Sequence, residues 1–183
     1  MKPPVFIPVD EDIALRHTVP AYAAEIYGLV NENRAYLQTW LPWVAHTLSV
    51  QDTLAFIRGV SHYDIYAADF NLTIFYRQHI VGLLGFVRGK KKMRQLEIGY
   101  WLDEKHQGMG IMLRSVRSLI AFGFAHSDAQ KIIIRADAHN LRSRAIPEAL
   151  GFKKSKDEIS HQPAGPTQIL SCYYIKVSDH CIG

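Results

Sequence analysis

Apolar residues in the first third of the chain recur at the spacing of helices. After Thr18, with Pro20 tolerated in a first turn, four apolar residues share one helical face. They are Ile26, Leu29, Val30 and Leu37. The stretch 40–43, Trp-Leu-Pro-Trp, interrupts this pattern. A second helix is predicted from Ser49, which forms a capping-box-like start with Asp52. Its apolar stripe consists of Leu54, Ile57 and Val60.

The middle of the chain has the pattern of strands. Three runs rich in β-branched and aromatic residues, 72–76, 80–87 and 96–102, are separated by short polar stretches. They predict an antiparallel meander. Gly82 and Gly85 inside the second run indicate a bulge or a close backbone approach.

The last part of the chain alternates between helix and strand. A helix is predicted after the third run, because five apolar residues fall on one buried face. They are Met112, Val116, Leu119, Ile120 and Phe124. The run 131–136 predicts a central strand, 143–150 predicts a short helix that stops at a left-handed Gly151, and 171–177 predicts a closing strand. The predicted order is helix, helix, three strands, helix, strand, helix, strand. This is a mixed α/β (α+β) domain, expected to span residues 1–183 without a linker.

Composition and charge narrow the class of protein. Apolar residues make up 48% of the chain and charged residues 21%, as in globular proteins. No apolar run approaches the roughly 18 residues of a membrane span, and no signal-peptide core is present, so a cytoplasmic protein without a membrane partner is expected. Cys172 and Cys181 are too few for a disulfide framework and are expected to be free thiols.

The charged residues and histidines suggest ligands only weakly. The net charge of +4 suits a diphosphate-bearing cofactor and equally a nucleic acid. The densest basic run, residues 88–94, is interpreted as a solvated hairpin turn in preference to a nucleic-acid or phosphate patch. The nine histidines are scattered singly, so no metal site is predicted.

The most informative segment follows the strand at 96–102. Two glycines, Gly108 and Gly110, precede the predicted helix and let the backbone turn tightly. The first amides of a helix have no internal partners and lie at its positive dipole end. Such a turn can bind a phosphate or pyrophosphate with backbone alone, although two glycines before a helix are also typical of an ordinary tight turn.

The segment 107–112, Gln-Gly-Met-Gly-Ile-Met, resembles the pyrophosphate loop of GNAT acetyltransferases. Met112 departs from the small residue of the general pattern. The segment 140–152 resembles the family's Asn-x-x-Ser…Gly-Phe element, and 97–102 lies at the corresponding upstream position. Together with Asn33-Arg34 and the 40–43 motif, these segments are similar to the subgroup that acetylates ribosomal-protein N-termini (RimJ/RimL-like). The resemblance covers roughly residues 10–177.

The resemblance implies a GNAT fold and a set of contacts to acetyl-CoA. The fold has a mixed, mostly antiparallel central sheet with a splayed parallel strand pair, flanked by helices. The pantetheine arm is expected in the gap, paired with strand backbone, and an N–H near Leu102 is expected to stabilise the oxyanion. The implied cofactor-binding residues are Tyr100, Trp101, Leu102, Gln107, Gly108, Met109, Gly110, Ile111, Met112, Asn140 and Ser143.

Two residues are candidates for catalysis, each with a structural alternative. Glu97 is either the base that deprotonates the amine or a surface residue or half of an ion pair. Ser143 is either the donor to the leaving thiolate or a serine that caps its own helix. Asn140 is either a cofactor contact or a turn residue and cap. Pro147 leaves the carbonyl of Ser143 without its helical partner, which makes that backbone available to a ligand.

The expected activity is N-acetylation of a primary amine by direct attack in a ternary complex. The first expected acceptor is a protein N-terminus, such as that of a ribosomal protein, and the next is a small amine such as a polyamine, aminoglycoside or amino acid. Trp40 and Trp43 are expected to line the acceptor side. The segment 153–166 departs from the subgroup, so its acidic residue is not assigned. A coenzyme-A-binding module without turnover is the alternative, and a homodimer through an edge strand is possible.

Overall fold

The computed structural model describes residues 4–60, 70–87, 94–160 and 168–179. These residues build one nine-stranded sheet with the order β1-β2-β3-β4-β5-β6-β9-β7, in which β8 also pairs with β9. The strands are β1 (Phe6–Pro8), β2 (Ile13–His17), β3 (Phe70–Tyr76), β4 (His79–Phe86), β5 (Gln95–Leu102), β6 (Lys131–Asp137), β7 (Lys153–Lys154), β8 (Glu158–Ser160) and β9 (Gln168–Lys176). The helices are α1 (Ala23–Glu32), α2 (Arg34–Leu37), α3 (Val50–Val60), α4 (Ile111–His126) and α5 (Leu141–Ala149).

The helices cover both faces of the sheet. On one face, Val116 and Leu119 of α4 pack with Ile134 of β6 in the larger core. On the other, Ile26 of α1 and Ile57 of α3 belong to a second core that reaches β4. Burial alternates along β6, as expected of a strand whose successive side chains point to opposite faces.

The sheet is antiparallel except at β5 and β6, which run parallel. These two strands pair only from Gln95–Ile98 to Lys131–Ile134. Beyond that point β5 continues over 99–102 and β6 over 135–137 without pairing to each other, so a gap opens in the sheet. This confirms the predicted mixed α/β sheet with a splayed parallel pair.

Several predicted elements are confirmed. Ser49 and Asp52 exchange hydrogen bonds at the start of α3, as in a capping box: the Ser49 hydroxyl donates to the Asp52 carboxylate at 2.8 Å, and the Asp52 amide donates back at 3.3 Å. Gly85 lies where an added Cβ would come within 2.0 Å of the Phe70 carbonyl oxygen, which confirms a close backbone approach. Gly151 is left-handed, with φ of 76°.

The predicted order is wrong at the N-terminus, where two strands precede the first helix. The buried face of β2 consists of Ile13, Leu15 and His17. Only two of these three residues are apolar, and five residues are too few for the alternation to predict a strand. The short strands β7 and β8 were also missed. Of the basic run 88–94, only Arg94 lies within the described residues. None of the helices in the described ranges is long and apolar enough to cross a membrane.

Candidate active site

The loop between β5 and α4 presents a row of backbone amides. Gly108 and Gly110 have positive φ angles of 76° and 70°, a conformation that strains any residue with a side chain. Gly110 is the N-cap of α4. Within the described part of the chain, no protein group accepts a hydrogen bond from the amides of residues 108–113. These amides, at the positive end of a sixteen-residue helix, form a cradle for an anion.

Arg114, one turn into α4, fixes the opposite side of this loop. Its guanidinium donates to the carbonyl oxygens of Met109 at 3.2 Å and Gly110 at 3.3 Å. It also forms an ion pair with Asp10 at 2.5 Å. Because Arg114 binds the loop carbonyls, these carbonyls need no other partner and the loop keeps its shape while its amides remain available. No pattern in the sequence indicated this role.

A cavity of about 810 Å³ connects this loop with the gap in the sheet. Gly108, Gly110 and Ser143 line it on the side of α4 and α5. Tyr36 and Trp40, from α2 and the turn after it, line the other side. The cavity therefore passes through the sheet where β5 and β6 diverge.

The register of β5 determines which backbone groups face the gap. The backbone carbonyl of Glu97 accepts from the amide of Val87, and the amide of Asp103 donates to the carbonyl of Val81. The backbone groups of the odd-numbered residues of β5 therefore bond to β4. Since hydrogen-bonding direction alternates along a strand, the N–H and C=O groups of Tyr100 and Leu102 face the gap. The backbone of Trp101 faces β4 instead, so it is not free to pair with a ligand, although Trp101 is among the residues that line the cavity.

Tyr100 and Ser143 meet at the side of the gap. Pro147 has no N–H for the Ser143 carbonyl, and the Tyr100 hydroxyl donates to that oxygen at 2.7 Å. The expectation that this carbonyl is available to a ligand is therefore wrong. Burial raises the pKa of Tyr100, so the phenol keeps its proton. Ser143 lines the cavity, and its hydroxyl lies 3.4 Å from the Tyr100 oxygen.

Asn140 is the N-cap of α5. Its side-chain oxygen accepts from the Ser143 amide at 3.1 Å, which confirms the capping interpretation of Asn140. The idea that Ser143 caps its own helix is wrong, because Ser143 lies inside α5. Asn140 also lines the cavity, so its two predicted roles are compatible.

Glu97 is half of an ion pair, as one of its interpretations predicted. Both of its carboxylate oxygens accept from the guanidinium of Arg135, the Nε bond being 2.9 Å long, and Arg135 also contacts Glu158 at 3.0 Å. The two side chains are 13% and 19% exposed. Hydrogen bonds to Glu97 raise the pKa of Arg135 further above its usual range, so the guanidinium of Arg135 stays charged. Arg135 lines the cavity and joins β6 to β5 where the two strands begin to separate.

The acceptor side is supported by the Asn33-Arg34 pair. The Asn33 side chain accepts from the amide of Glu104 at 2.9 Å, which joins the end of α1 to the turn after β5. Arg34 donates to the carbonyl oxygens of Val44 at 2.8 Å and Thr47 at 2.7 Å. These bonds hold the 42–46 turn, in which Trp43 lies 6.4 Å from Trp101 between ring centroids.

Trp40 lines the cavity as predicted, whereas Trp43 is 40% exposed and is absent from the lining.

The side chain of Gln107 has a role that was not expected. Its side-chain nitrogen Nε2 donates to the Tyr36 hydroxyl at 2.5 Å, and its side-chain oxygen Oε1 accepts from the Arg142 guanidinium at 2.5 Å. Within the described ranges, no group of three or more His, Cys, Asp or Glu side chains is placed to hold a metal ion.

The fold and this cavity are those of a GNAT acetyltransferase. The family model of the acetyltransferase (GNAT) domain matches residues 12–153, and the chain belongs to that family. Among curated proteins, it is 30% identical over 148 residues to the ribosomal-protein-serine acetyltransferase of Escherichia coli (strain K12), covering 80% of this chain and 82% of that protein.

Two solved structures share the fold at lower identity. One is RimL, a ribosomal L7/L12 α-N-protein acetyltransferase in complex with coenzyme A. It has a TM-score of 0.88 and 24% identity, covering 96% of this chain and 100% of that one. The other is MccE, the microcin C7 self-immunity acetyltransferase, in complex with acetyl-CoA and AMP. It has a TM-score of 0.86 and 24% identity, covering 93% of this chain and 96% of that one. The fold is thus shared by acetyltransferases with different biological roles.

Proposed function

We propose that this chain transfers the acetyl group of acetyl-CoA to a primary amine, and that the acceptor is a protein N-terminus. One observation carries the proposal. A single cavity joins the amide cradle at 108–113 to the aromatic residues of the acceptor side, and it crosses the sheet at the gap between β5 and β6. Donor and acceptor can therefore enter from opposite faces and meet in a ternary complex, which allows direct attack.

The residues present fit acetyl-CoA. Unpaired amides and two left-handed glycines suit a diphosphate. The gap-facing backbone groups of Tyr100 and Leu102 suit the amides of a pantetheine arm, which would pair as an added strand does. Acetyl-CoA would supply an acyl group activated as a thioester. The Leu102 amide is the candidate to stabilise negative charge on the acyl oxygen.

Ser143 is the proposed donor to the leaving thiolate. Ser143 lines the cavity, and the Tyr100 hydroxyl beside its own hydroxyl is protonated and anchored to the Ser143 carbonyl. This arrangement fixes the position of Ser143, so the hydroxyl can hydrogen-bond to sulfur with little reorganisation. The role of Glu97 as a general base stays a prediction. Its pairing with Arg135 favours a part in holding the two strands at the start of the gap.

The choice of a protein N-terminus rests on the resemblance to the Escherichia coli relative and on the shape of the acceptor side. Tyr36, Trp40 and Trp101 give that side an apolar lining, while Arg135 and Asp137 add charge near the gap. A polyamine carries several ammonium groups, so it is better matched by a lining in which carboxylates outnumber cations. Here the described part of the lining has two carboxylates, Glu104 and Asp137, and two arginines, Arg135 and Arg142.

The test is an acceptor panel read by thiol release and mass spectrometry. The panel holds a peptide with a free N-terminal serine and one internal lysine, the same peptide with a blocked N-terminus, spermidine and an aminoglycoside. We expect one acetyl group on the α-amine of the free peptide and none on the blocked one. Preferred acetylation of a small amine would overturn the acceptor assignment, and binding of acetyl-CoA without transfer to any amine would favour the binding module.

A further inference from the structure

Arg142 is a cation without an acidic partner at the edge of the cavity. It lies in the first turn of α5, is exposed and lines the cavity. Its one hydrogen bond runs from Nη1 to the side-chain oxygen of Gln107, at 2.5 Å. Within the described ranges no carboxylate forms an ion pair with Arg142. By contrast, Arg135, which also lines the cavity, and Arg114, which holds the loop carbonyls, each bind a carboxylate.

The position of Arg142 follows from its partner. Gln107 is the residue immediately before the row of unpartnered amides at 108–113, so the guanidinium lies beside the anion cradle. An Arg presents five donors in a fork that matches phosphate oxygens, and a neutral amide oxygen satisfies one of them. A charge-assisted bond to phosphate is roughly twice as strong as a bond between neutral groups. A phosphate in the cradle would therefore compete well with Gln107 for Arg142.

We propose that Arg142 is a side-chain ligand of the cofactor's diphosphate, held by Gln107 until the phosphate replaces that amide. The proposal rests on acetyl-CoA as the donor, as argued above, and adds a residue from α5 to a site otherwise built from the loop backbone. It also gives the Gln107 side chain a definite part. Gln107 positions Arg142 beside the cradle and is itself fixed by the Tyr36 hydroxyl at 2.5 Å.

Binding calorimetry with two ligands tests this assignment. Coenzyme A carries the diphosphate and a 3′-phosphate, whereas dephospho-CoA carries the diphosphate alone. We expect Arg142→Ala to weaken the binding of both ligands by about 10- to 100-fold, the loss expected for one or two charge-assisted hydrogen bonds. Arg142→Lys should recover part of this loss, since it keeps the charge but not the fork.

Arg117→Ala is the matched control, because Arg117 is an exposed arginine on α4 and its removal changes the net charge equally. It should change either affinity by less than about 3-fold, as expected for a screened surface charge. Equal losses in Arg142→Ala and Arg117→Ala would overturn the proposal. A loss confined to coenzyme A would assign Arg142 to the 3′-phosphate and overturn the diphosphate assignment.

Thermal unfolding of the ligand-free variants completes the test. Arg142→Ala is expected to unfold within about 2 °C of wild type, because an exposed side chain contributes little to stability. Weakened binding with a strongly lowered unfolding temperature, and no recovery in Arg142→Lys, would indicate a structural role and contradict the proposal. Failure of wild type to bind either ligand would instead contradict the proposed function itself.

Discussion

The two halves of the cavity are built by different means. The half that we propose for the cofactor, called the cofactor half, consists largely of backbone: amides at 108–113 and the gap-facing groups of Tyr100 and Leu102. The acceptor half consists of side chains from separate elements, among them Tyr36, Trp40 and Arg135. Backbone recognition needs only a loop of one shape, so it suits a donor that a whole family shares. Side-chain recognition can change without altering the fold, and this chain shares its fold with both RimL and MccE.

Removal of the Ser143 hydroxyl should have the largest effect. We expect Ser143→Ala to lower kcat by about 100-fold, the low end of what a positioned proton donor contributes. Cofactor affinity should stay within about 3-fold of wild type, because the amide cradle is untouched. Steady-state kinetics and calorimetry on the same preparation give both values. An unchanged kcat would remove Ser143 from the chemistry.

Changing the support of the cofactor loop should have the next largest effect. Arg114→Ala frees the carbonyl oxygens of Met109 and Gly110, so the loop loses its fixed shape. We expect coenzyme A to bind about 10-fold more weakly, with the acceptor KM unchanged. Asp10→Asn keeps the shape of the ion-pair partner of Arg114 but removes its charge. It should also weaken the binding of coenzyme A, by less than Arg114→Ala does. An increase in the acceptor KM alone would contradict the division of the cavity into two halves.

A change in the acceptor half should raise the acceptor KM and leave the affinity for coenzyme A unchanged, the reverse of what is expected for Arg114→Ala. Trp40→Ala removes an aromatic wall and is expected to raise the acceptor KM by about 3- to 10-fold, the range expected for one aromatic contact. Coenzyme A affinity should not change. Trp43→Ala is the control, because Trp43 is 40% exposed and does not line the cavity. If both variants behave alike in kinetics, the aromatic lining has no specific part in acceptor binding.

The smallest expected effect concerns the joint between Tyr100 and α5. Tyr100→Phe removes the donor to the Ser143 carbonyl and should lower the free energy of unfolding by about 1–2 kcal/mol. Pro147→Ala restores a helical N–H to that carbonyl, so it should reduce the cost of Tyr100→Phe in the double variant. Denaturant unfolding of the four proteins measures this coupling. Additive effects would show that the carbonyl is not the shared partner.

The difference between the halves also explains what could be predicted from the sequence. The two glycines before a helix predicted a tight turn at 107–112 with free amides, but its interpretation as a diphosphate loop rested on the family resemblance. The splayed strands followed from the family resemblance. That Glu97 forms an ion pair was one of its predicted alternatives. Its partner Arg135 was not predicted, because the two residues are 38 positions apart and no local pattern indicates their contact. Arg114, Arg142 and Tyr36 were missed for the same reason.

Pro147 is a different case, in which local reasoning was right and its consequence was wrong. The proline does deprive the Ser143 carbonyl of a helical partner, as the sequence predicts. Which group then satisfies that oxygen depends on how α5 packs against β5, and Tyr100 occupies the place assigned to a ligand. Rules for helix formation describe contacts within a helix and do not predict a contact with a neighbouring strand.

The central claim is that the amides at 108–113 bind the diphosphate of the cofactor. Amide proton chemical shifts in a nitrogen-15 labelled sample measure this most directly, with coenzyme A compared against pantetheine, which has no diphosphate. Coenzyme A should move the amide protons of Met109, Gly110, Ile111 and Met112 downfield, as hydrogen bonds to phosphate form, and pantetheine should leave them in place. Unmoved loop amides in a sample saturated with coenzyme A would contradict the account.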